Sequence, residues 1–422
     1  MTRAAMGDSS FGARARRLGA AAAAAAALAI LAAPQALAEG GPELSGSSEL
    51  FSALGLGDGR LGLSSVSRLV LEARPSERAS FRAEASLELD YGALSAFAAA
   101  EDAGLAAAAE LPPGVDPRRD FSLDQAYATL IAGPLDLRAG LVPIAWGSAY
   151  AFNPTSRVAP PRSPWDAEET EVGSPGLDLC LSLPRGLALE LYAAFSDRSK
   201  SLWPSLEEGD PELLPWGAKL QYRGSGFDIS IGALREIMSF GDAGGDSRSY
   251  WACADAVGSL GELDLYAEAA LRIDGPSFPD WEEGLEAAAG LAWALPLDGA
   301  TLRLEYARLG SGGAGPEDYD WAALLAGTAV TLGRDYLLAA LEREEADRWS
   351  VSGGLLANLD DGSLAAAAEA AFRPEPEIEL SLRCILYRGE RGDEFDGRFE
   401  AAPGAELDLA RPLLGIGLRM DF

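Results

Sequence analysis

The sequence predicts one all-β domain, an antiparallel transmembrane β-barrel of roughly sixteen to eighteen strands with a polar lumen. Three observations carry this expectation. Strand-length runs alternate apolar and polar residues, with a Leu/Ala-rich apolar phase and a charged polar phase. A wall reads this way when one face meets lipid and the other meets water. After residue 38 no stretch is long and apolar enough for a membrane helix, so any span is built from strands, and only a closed barrel satisfies their backbone groups in lipid. The chain also ends on such a run. Leu414, Ile416, Leu418, Met420 and Phe422 alternate there with Gly415, Gly417, Arg419 and Asp421.

In chain order, residues 1–38 read as a cleaved signal peptide. Arg14, Arg16 and Arg17 precede an Ala/Leu/Ile run from Leu18 to Ala33, Pro34 breaks it, and Ala36-Leu37-Ala38 is a small-x-small cleavage site. The run is short and Ala-rich for a core of ~30 Å, which favours removal over anchoring, and Sec export is the expected route. Residues 39–59 form a Gly/Ser-rich segment, either periplasmic or the first strand. The barrel proper is expected over 60–422.

Arg60–Ala73 opens it, and Phe81–Tyr91 is the cleanest strand of the chain. There Phe81, Ala83, Ala85, Leu87, Leu89 and Tyr91 alternate with Arg82, Glu84, Ser86, Glu88 and Asp90, matching a lipid-facing strand of ~9–11 residues. Further runs follow at Leu135–Leu141, Leu177–Leu183, Leu187–Leu191, Trp216–Tyr222, Phe227–Ile231, Leu263–Leu271, Leu285–Leu295 and Leu302–Tyr306. The last are Trp321–Leu332, Trp349–Ala357, Leu364–Phe372, Ile378–Leu386 and Leu413–Phe422. Hairpin turns are expected at Gly224-Ser225-Gly226, Leu297-Asp298-Gly299, Gly333-Arg334-Asp335 and Asp360-Asp361-Gly362. Connections alternate short and long, although the pattern blurs after Glu344, and Leu105–Ala109 could form a short helix in one of the long ones. A soluble β-sandwich also alternates, but its buried face favours Val, Ile and aromatics over Leu and Ala.

Gly140-Leu141-Val142-Pro143-Ile144-Ala145-Trp146-Gly147, followed by Asn153-Pro154, resembles a segment of porin-like bacterial outer-membrane proteins. In those a strand ends in Gly-Arg-Gln-x-Ile-x-Trp-Gly before an Asn-Pro loop. The Arg-Gln pair is replaced here by Leu141-Val142, so no role of that pair carries over. The C-terminal run resembles the same class, in which a final aromatic after alternating apolar residues is the assembly signal. The resemblance implies Leu414, Ile416, Leu418, Met420 and Phe422 as that signal, the barrel-assembly machinery and outer-membrane lipid as partners, and the outer membrane as location. It leaves a homo-oligomer open.

Composition narrows the function. The 422 residues carry 34 basic and 65 acidic side chains, a net charge of −31, which repels nucleic acid. There is no His, which removes Ser-His and Cys-His nucleophile pairs and His-based zinc motifs. Cys180, Cys253 and Cys384 are odd in number and far apart, with no metal-ligand spacing. Neither enzyme activity nor a metal or cofactor is expected. The function expected is passive diffusion of small hydrophilic solutes, with cation preference. The alternatives are a non-conducting structural or adhesive barrel with a plugged lumen, and a soluble secreted β-rich ligand-binding protein.

Two sets of residues are candidates for lining or narrowing the pore. The inward phase supplies Arg82, Glu84, Glu88, Asp90, Asp136, Arg138, Arg303 and Glu305, along with Glu190, Asp228, Asp264, Glu268, Lys219, Arg223, Arg272 and Arg419. The longest loop, Pro143–Ser174, supplies Trp146, Arg157, Arg162, Trp165 and Asp166. A long loop rich in aromatics, Pro and both charge signs suits a constriction folded into the pore.

Overall fold

A computed structural model describes residues 41–57, 59–92, 120–159, 163–164, 172–194, 214–239, 246–274, 281–297, 299–325, 329–345, 348–402 and 405–422. The expected signal peptide, the Leu105–Ala109 helix, Arg162, Trp165 and Asp166 lie outside them.

The first nine strands are β1 (Glu43–Gly55), β2 (Leu61–Ser76), β3 (Ala79–Gly92), β4 (Asp120–Ala132), β5 (Leu135–Val142), β6 (Ser174–Ser182), β7 (Leu187–Ala194), β8 (Trp216–Arg223) and β9 (Phe227–Ser239). The next eight are β10 (Asp246–Leu260), β11 (Leu263–Arg272), β12 (Leu285–Ala294), β13 (Ala300–Leu309), β14 (Asp335–Glu345), β15 (Trp349–Asn358), β16 (Leu364–Glu375) and β17 (Ile378–Arg388). A small hairpin, β18 (Arg398–Ala402) and β19 (Ala405–Asp408), stands apart, and β20 (Leu413–Asp421) completes the wall.

Each wall strand pairs antiparallel with its sequence neighbour, β17 pairs with β20, and β20 pairs with β1. The result is a closed eighteen-stranded antiparallel barrel. The segment left undecided by sequence is thus the first wall strand from Glu43 onward. Connections of two to five residues gather at one end with the start of β1 and the end of β20, and the longer connections gather at the other, except for the short 56–60 and 359–363. The alternation blurs after Glu344 because the 359–363 connection, at the long-loop end, is as short as the turns on either side of it.

Leucines on alternate positions face outward. Leu50, Leu87, Leu191, Leu265, Leu304, Leu341, Leu355, Leu382 and Ile416 are all exposed, far more apolar area than a water-facing wall carries. Tyr222, Phe227, Trp293, Trp349 and Phe422 add exposed aromatics at the short-turn end, as at a membrane interface.

The closing seam depends on the last residue. The Phe422 N–H donates to the Gly46 carbonyl and the Gly46 N–H to the Phe422 carbonyl, both at 2.9 Å. A side chain at Gly46 would meet the Phe422 ring at 2.9 Å, so glycine makes room for the aromatic. Deleting Phe422 removes both bonds and the ring contact. The expected result is less folded barrel recovered from membranes, measured as the heat-modifiable fraction on gels; normal recovery would count against an assembly role for this residue.

Three wall strands and the hairpin β18–β19 are absent from the sequence reading, and one expected strand is not there. β4 is hidden because a register shift opposite Glu84/Ala85 adds a residue and breaks its period of two. In β10 and β14 the inward positions include buried Trp251 and Cys253, and buried Tyr336 and Leu338, so the polar phase is interrupted. In place of the expected strand Trp321–Leu332, residues 321–325 form the short helix α1 (Trp321–Leu325) and residues 329–332 lie in the connection before β14. The Ala323 N–H donates to Asp320 Oδ1 at 2.9 Å, an N-cap that starts a helical turn. Trp321 stacks on Phe399, with centroids 4.2 Å apart and planes 8° from parallel. The expected turn at Gly333-Arg334-Asp335 is the end of this loop.

Candidate functional site

Past β5 the chain turns into the barrel. Residues 143–159 form a strap whose side chains and backbone meet the inward faces of β7 to β14. Ile144 and Val158 pack with Val142, Trp146, Leu234, Trp251 and Cys253 in one apolar cluster. The Trp146 indole N–H donates to Glu190 Oε1 at 2.7 Å, and its ring meets Tyr192 edge-on at 4.8 Å. Lys219 sits 5.0 Å from the centre of that ring and 3.1 Å from Glu190. A Cβ on Gly217 would lie 2.5 Å from the Trp146 ring, so the wall is thinned where the indole enters. Gly147 has φ +107°, and a Cβ there would fall 2.2 Å from Glu268 Oε2. The Trp-Gly pair thus has a local reason: the indole anchors and the glycine lets the backbone close on a carboxylate.

Two wall carboxylates hold the centre of the strap. Glu268 on β11 accepts from the Ser148 N–H at 2.7 Å and from the Ala149 and Thr155 N–H groups at 3.4 Å. Glu305 on β13 accepts from three successive N–H groups, Tyr150 at 2.7 Å, Ala151 at 3.2 Å and Phe152 at 2.8 Å. Consecutive N–H groups aimed at one point form an anion nest, and bonds to a carboxylate are about twice as strong as neutral ones. Exposure falls to 3 % at Glu268 and 1 % at Glu305, so both face the strap rather than the lumen water.

Side chains extend the attachment. The Tyr150 hydroxyl donates to Glu342 at 2.9 Å, and the Arg303 guanidinium lies 4.5 Å from the centre of its ring. Phe152 stacks on Tyr336 with centroids 5.4 Å apart. Arg157 is buried over Trp251 at 3.9 Å, pairs with Glu286, approaches Glu236 at 3.8 Å and donates to the Pro154 carbonyl at 2.7 Å. Two carboxylates and a carbonyl compensate the cation, and removing one would leave a buried charge unmatched.

A second polar group lies on β2, β3, β16 and β17. Arg82 pairs with Glu72 and at 2.8 Å with Glu84, which also meets Arg68 at 3.4 Å. Arg383 bonds Glu369 at 2.7 Å and lies 5.2 Å from the centre of the Phe51 ring. Beside the strap's root, Arg138 pairs with Asp178.

The sequence candidates therefore divide. Trp146, Arg157, Arg303 and Glu305 come together in the strap and its seat. Arg82 and Glu84 form the opposite group with Glu88 and Asp90 further along β3, while Arg138 and Asp136 are on β5. The reading missed Glu236, Glu286 and Glu342 as partners of the loop. Glu236 lies beyond the expected run Phe227–Ile231; in the structure it sits on β9, where inward Leu234 has already broken the alternation.

No protein-family model matches this chain, and no curated protein matches its sequence. Among solved structures the fold is similar to a mutant of the Rhodobacter blastica porin, with 13 % identity over 90 % of this chain and 100 % of that chain and a TM-score of 0.42. It is also similar to a mutant of OccD1 (OprD), with 11 % identity over 90 % of this chain and 95 % of that chain and a TM-score of 0.48.

Proposed function

We propose that this protein is an outer-membrane channel for passive diffusion of small hydrophilic solutes, narrowed by the strap at residues 143–159. The observation that carries the reading is that the strap is bound to the wall by Glu268 and Glu305 while a second polar group, with Arg82 32 % exposed, lies on β2 and β3. A fixed constriction beside a charged, wet surface is a diffusion pathway with a size limit and a field across it.

Cation preference is part of this proposal. Glu268 and Glu305 are spent on the strap, so Glu88 and Asp90 on β3 and Asp136 on β5 are the carboxylates that face solute. Fixed carboxylates raise local cation concentration within a Debye length of about 10 Å at 0.1 M salt. Reversal potentials of single channels under a KCl gradient should show cation preference that weakens as salt rises. Glu88→Gln with Asp90→Asn should reduce it and keep conductance. Glu84 is left alone in that test, because it holds Arg68 and Arg82. A folded barrel without conductance would overturn the channel reading in favour of a plugged structural barrel.

A further inference from the structure

We propose that the loop at residues 389–397 is a latch, tightened by acid, that steadies the strap through Tyr336, so that the strap is fixed at low pH and loosened as pH rises. The inference concerns regulation of the proposed channel, and only its electrical readout rests on that reading.

The geometry joins three parts of the chain at the long-loop end. Glu394 is buried and its carboxylate takes three donors: the Tyr336 hydroxyl at 2.5 Å, Asn358 Nδ2 at 2.7 Å and the Leu332 N–H at 3.1 Å. Its own N–H donates to Asp361 at 2.8 Å, and the Phe395 N–H to Ser363 Oγ at 3.2 Å. The Phe395 ring joins Phe152 of the strap, Tyr336, Leu338 and Leu356 in one buried cluster. Tyr336 therefore does two jobs, with its face on Phe152 and its hydroxyl on Glu394. Lifting the latch takes Phe395 out of the cluster and frees the hydroxyl that fixes the ring under Phe152.

The titratable and charged groups facing Glu394 are Tyr336 from β14 and Asp361 from the turn after β15. Tyr319 lies behind Asp361, bonded to it at 2.8 Å, and Glu390, Arg391, Asp393 and Asp396 are on the latch itself. Among the described residues no basic side chain pairs with Glu394. Burial pushes its carboxyl up to about 7, against the pull of the bonds from Tyr336, Leu332 and Asn358, and the nearby Asp361 charge adds to the rise. In a lifted latch the same group returns toward its ordinary value near 4.5. The docked state holds the proton more tightly, so docking is fully favoured below about 4.5 and the advantage is lost as pH rises through about 7.

The experiment measures amide exchange in the latch and in residues 329–335, corrected for intrinsic rates, on the intact barrel at about pH 5 and about pH 8. Wild type should lose protection several-fold at the higher pH. Glu394→Gln should stay protected at both, and Tyr336→Phe, which keeps the ring but removes a donor to the charged form, should start to lose protection at a different pH from wild type. Equal protection of wild type at the two pH values, or the same loss in Glu394→Gln, overturns the proposal. Single-channel current noise should rise with pH in wild type alone. A latch that loosens without any change in current noise would refute the coupling to the strap. A barrel that does not conduct would refute the channel reading while the exchange result still decides the latch.

Discussion

Replacing Glu268 and Glu305 together by Ala is expected to release the strap from the wall and raise conductance several-fold. Six backbone N–H groups between Ser148 and Thr155 point at these two carboxylates. A buried donor left without a partner costs about 1–3 kcal/mol. Water in the lumen can satisfy them only if the strap lifts away. Trp146 and Arg157 fix the two ends, and in the middle Tyr150 on Glu342 and Arg303 and Phe152 on Tyr336 remain as side-chain contacts. Glu268→Gln with Glu305→Gln keeps one carbonyl oxygen at each site and should give a smaller rise. Conductance in planar bilayers, compared with the folded fraction on gels, checks this. Unchanged conductance in a folded double-Ala barrel would show that the strap does not limit the pore.

Leu87→Arg should destabilise the barrel by about 2–4 kcal/mol, whereas Glu88→Arg should be tolerated. Leu87 is 38 % exposed on the outer face of β3, near the middle of the strand. Neighbouring Glu88 lies on the opposite face with Glu84 and Arg82, where the medium is water. A guanidinium at position 87 must be desolvated or must drag water into the hydrocarbon, while one at position 88 stays hydrated. Urea-dependent folding into lipid vesicles measures both variants, and equal losses would contradict the assignment of faces.

Where both faces of a strand meet different solvents, the sequence states the structure openly. Phe81–Tyr91 and the final run are read correctly because Leu87 faces outward and Glu88 inward, or Ile416 outward and Gly417 inward. Legibility fails where the lumen is dry. Under the strap, Trp251, Cys253, Leu234, Tyr336 and Leu338 are inward-facing and buried, so the polar phase of β10 and β14 is interrupted and no longer betrays them. β4 fails for another reason, since one added residue near Asp124 reverses the alternation within the strand. The candidate site shows the same division. Trp146, Arg157 and Glu305 stand out as a loop aromatic, a loop cation and an inward acid. That Glu305 binds three loop N–H groups depends on how the backbone folds 150 residues away, and no local pattern encodes it.

The pairing of β1 with β20 also sets a timetable. Every other pair except β17 with β20 joins consecutive strands and can form as a hairpin once both have emerged. The wall cannot close until Gly55 meets Leu413 and Ser47 meets Asp421, which brings together the two ends of the chain. Loop-closure entropy grows only slowly with length, by about 0.6 kcal/mol per doubling, so the delay is one of waiting and not of energy. Throughout that wait β1 presents a row of unpaired N–H and C=O groups, a template for any passing strand of another copy. The first strand made is thus the last one protected, and the yield of barrel over aggregate is decided by how long its edge stays open.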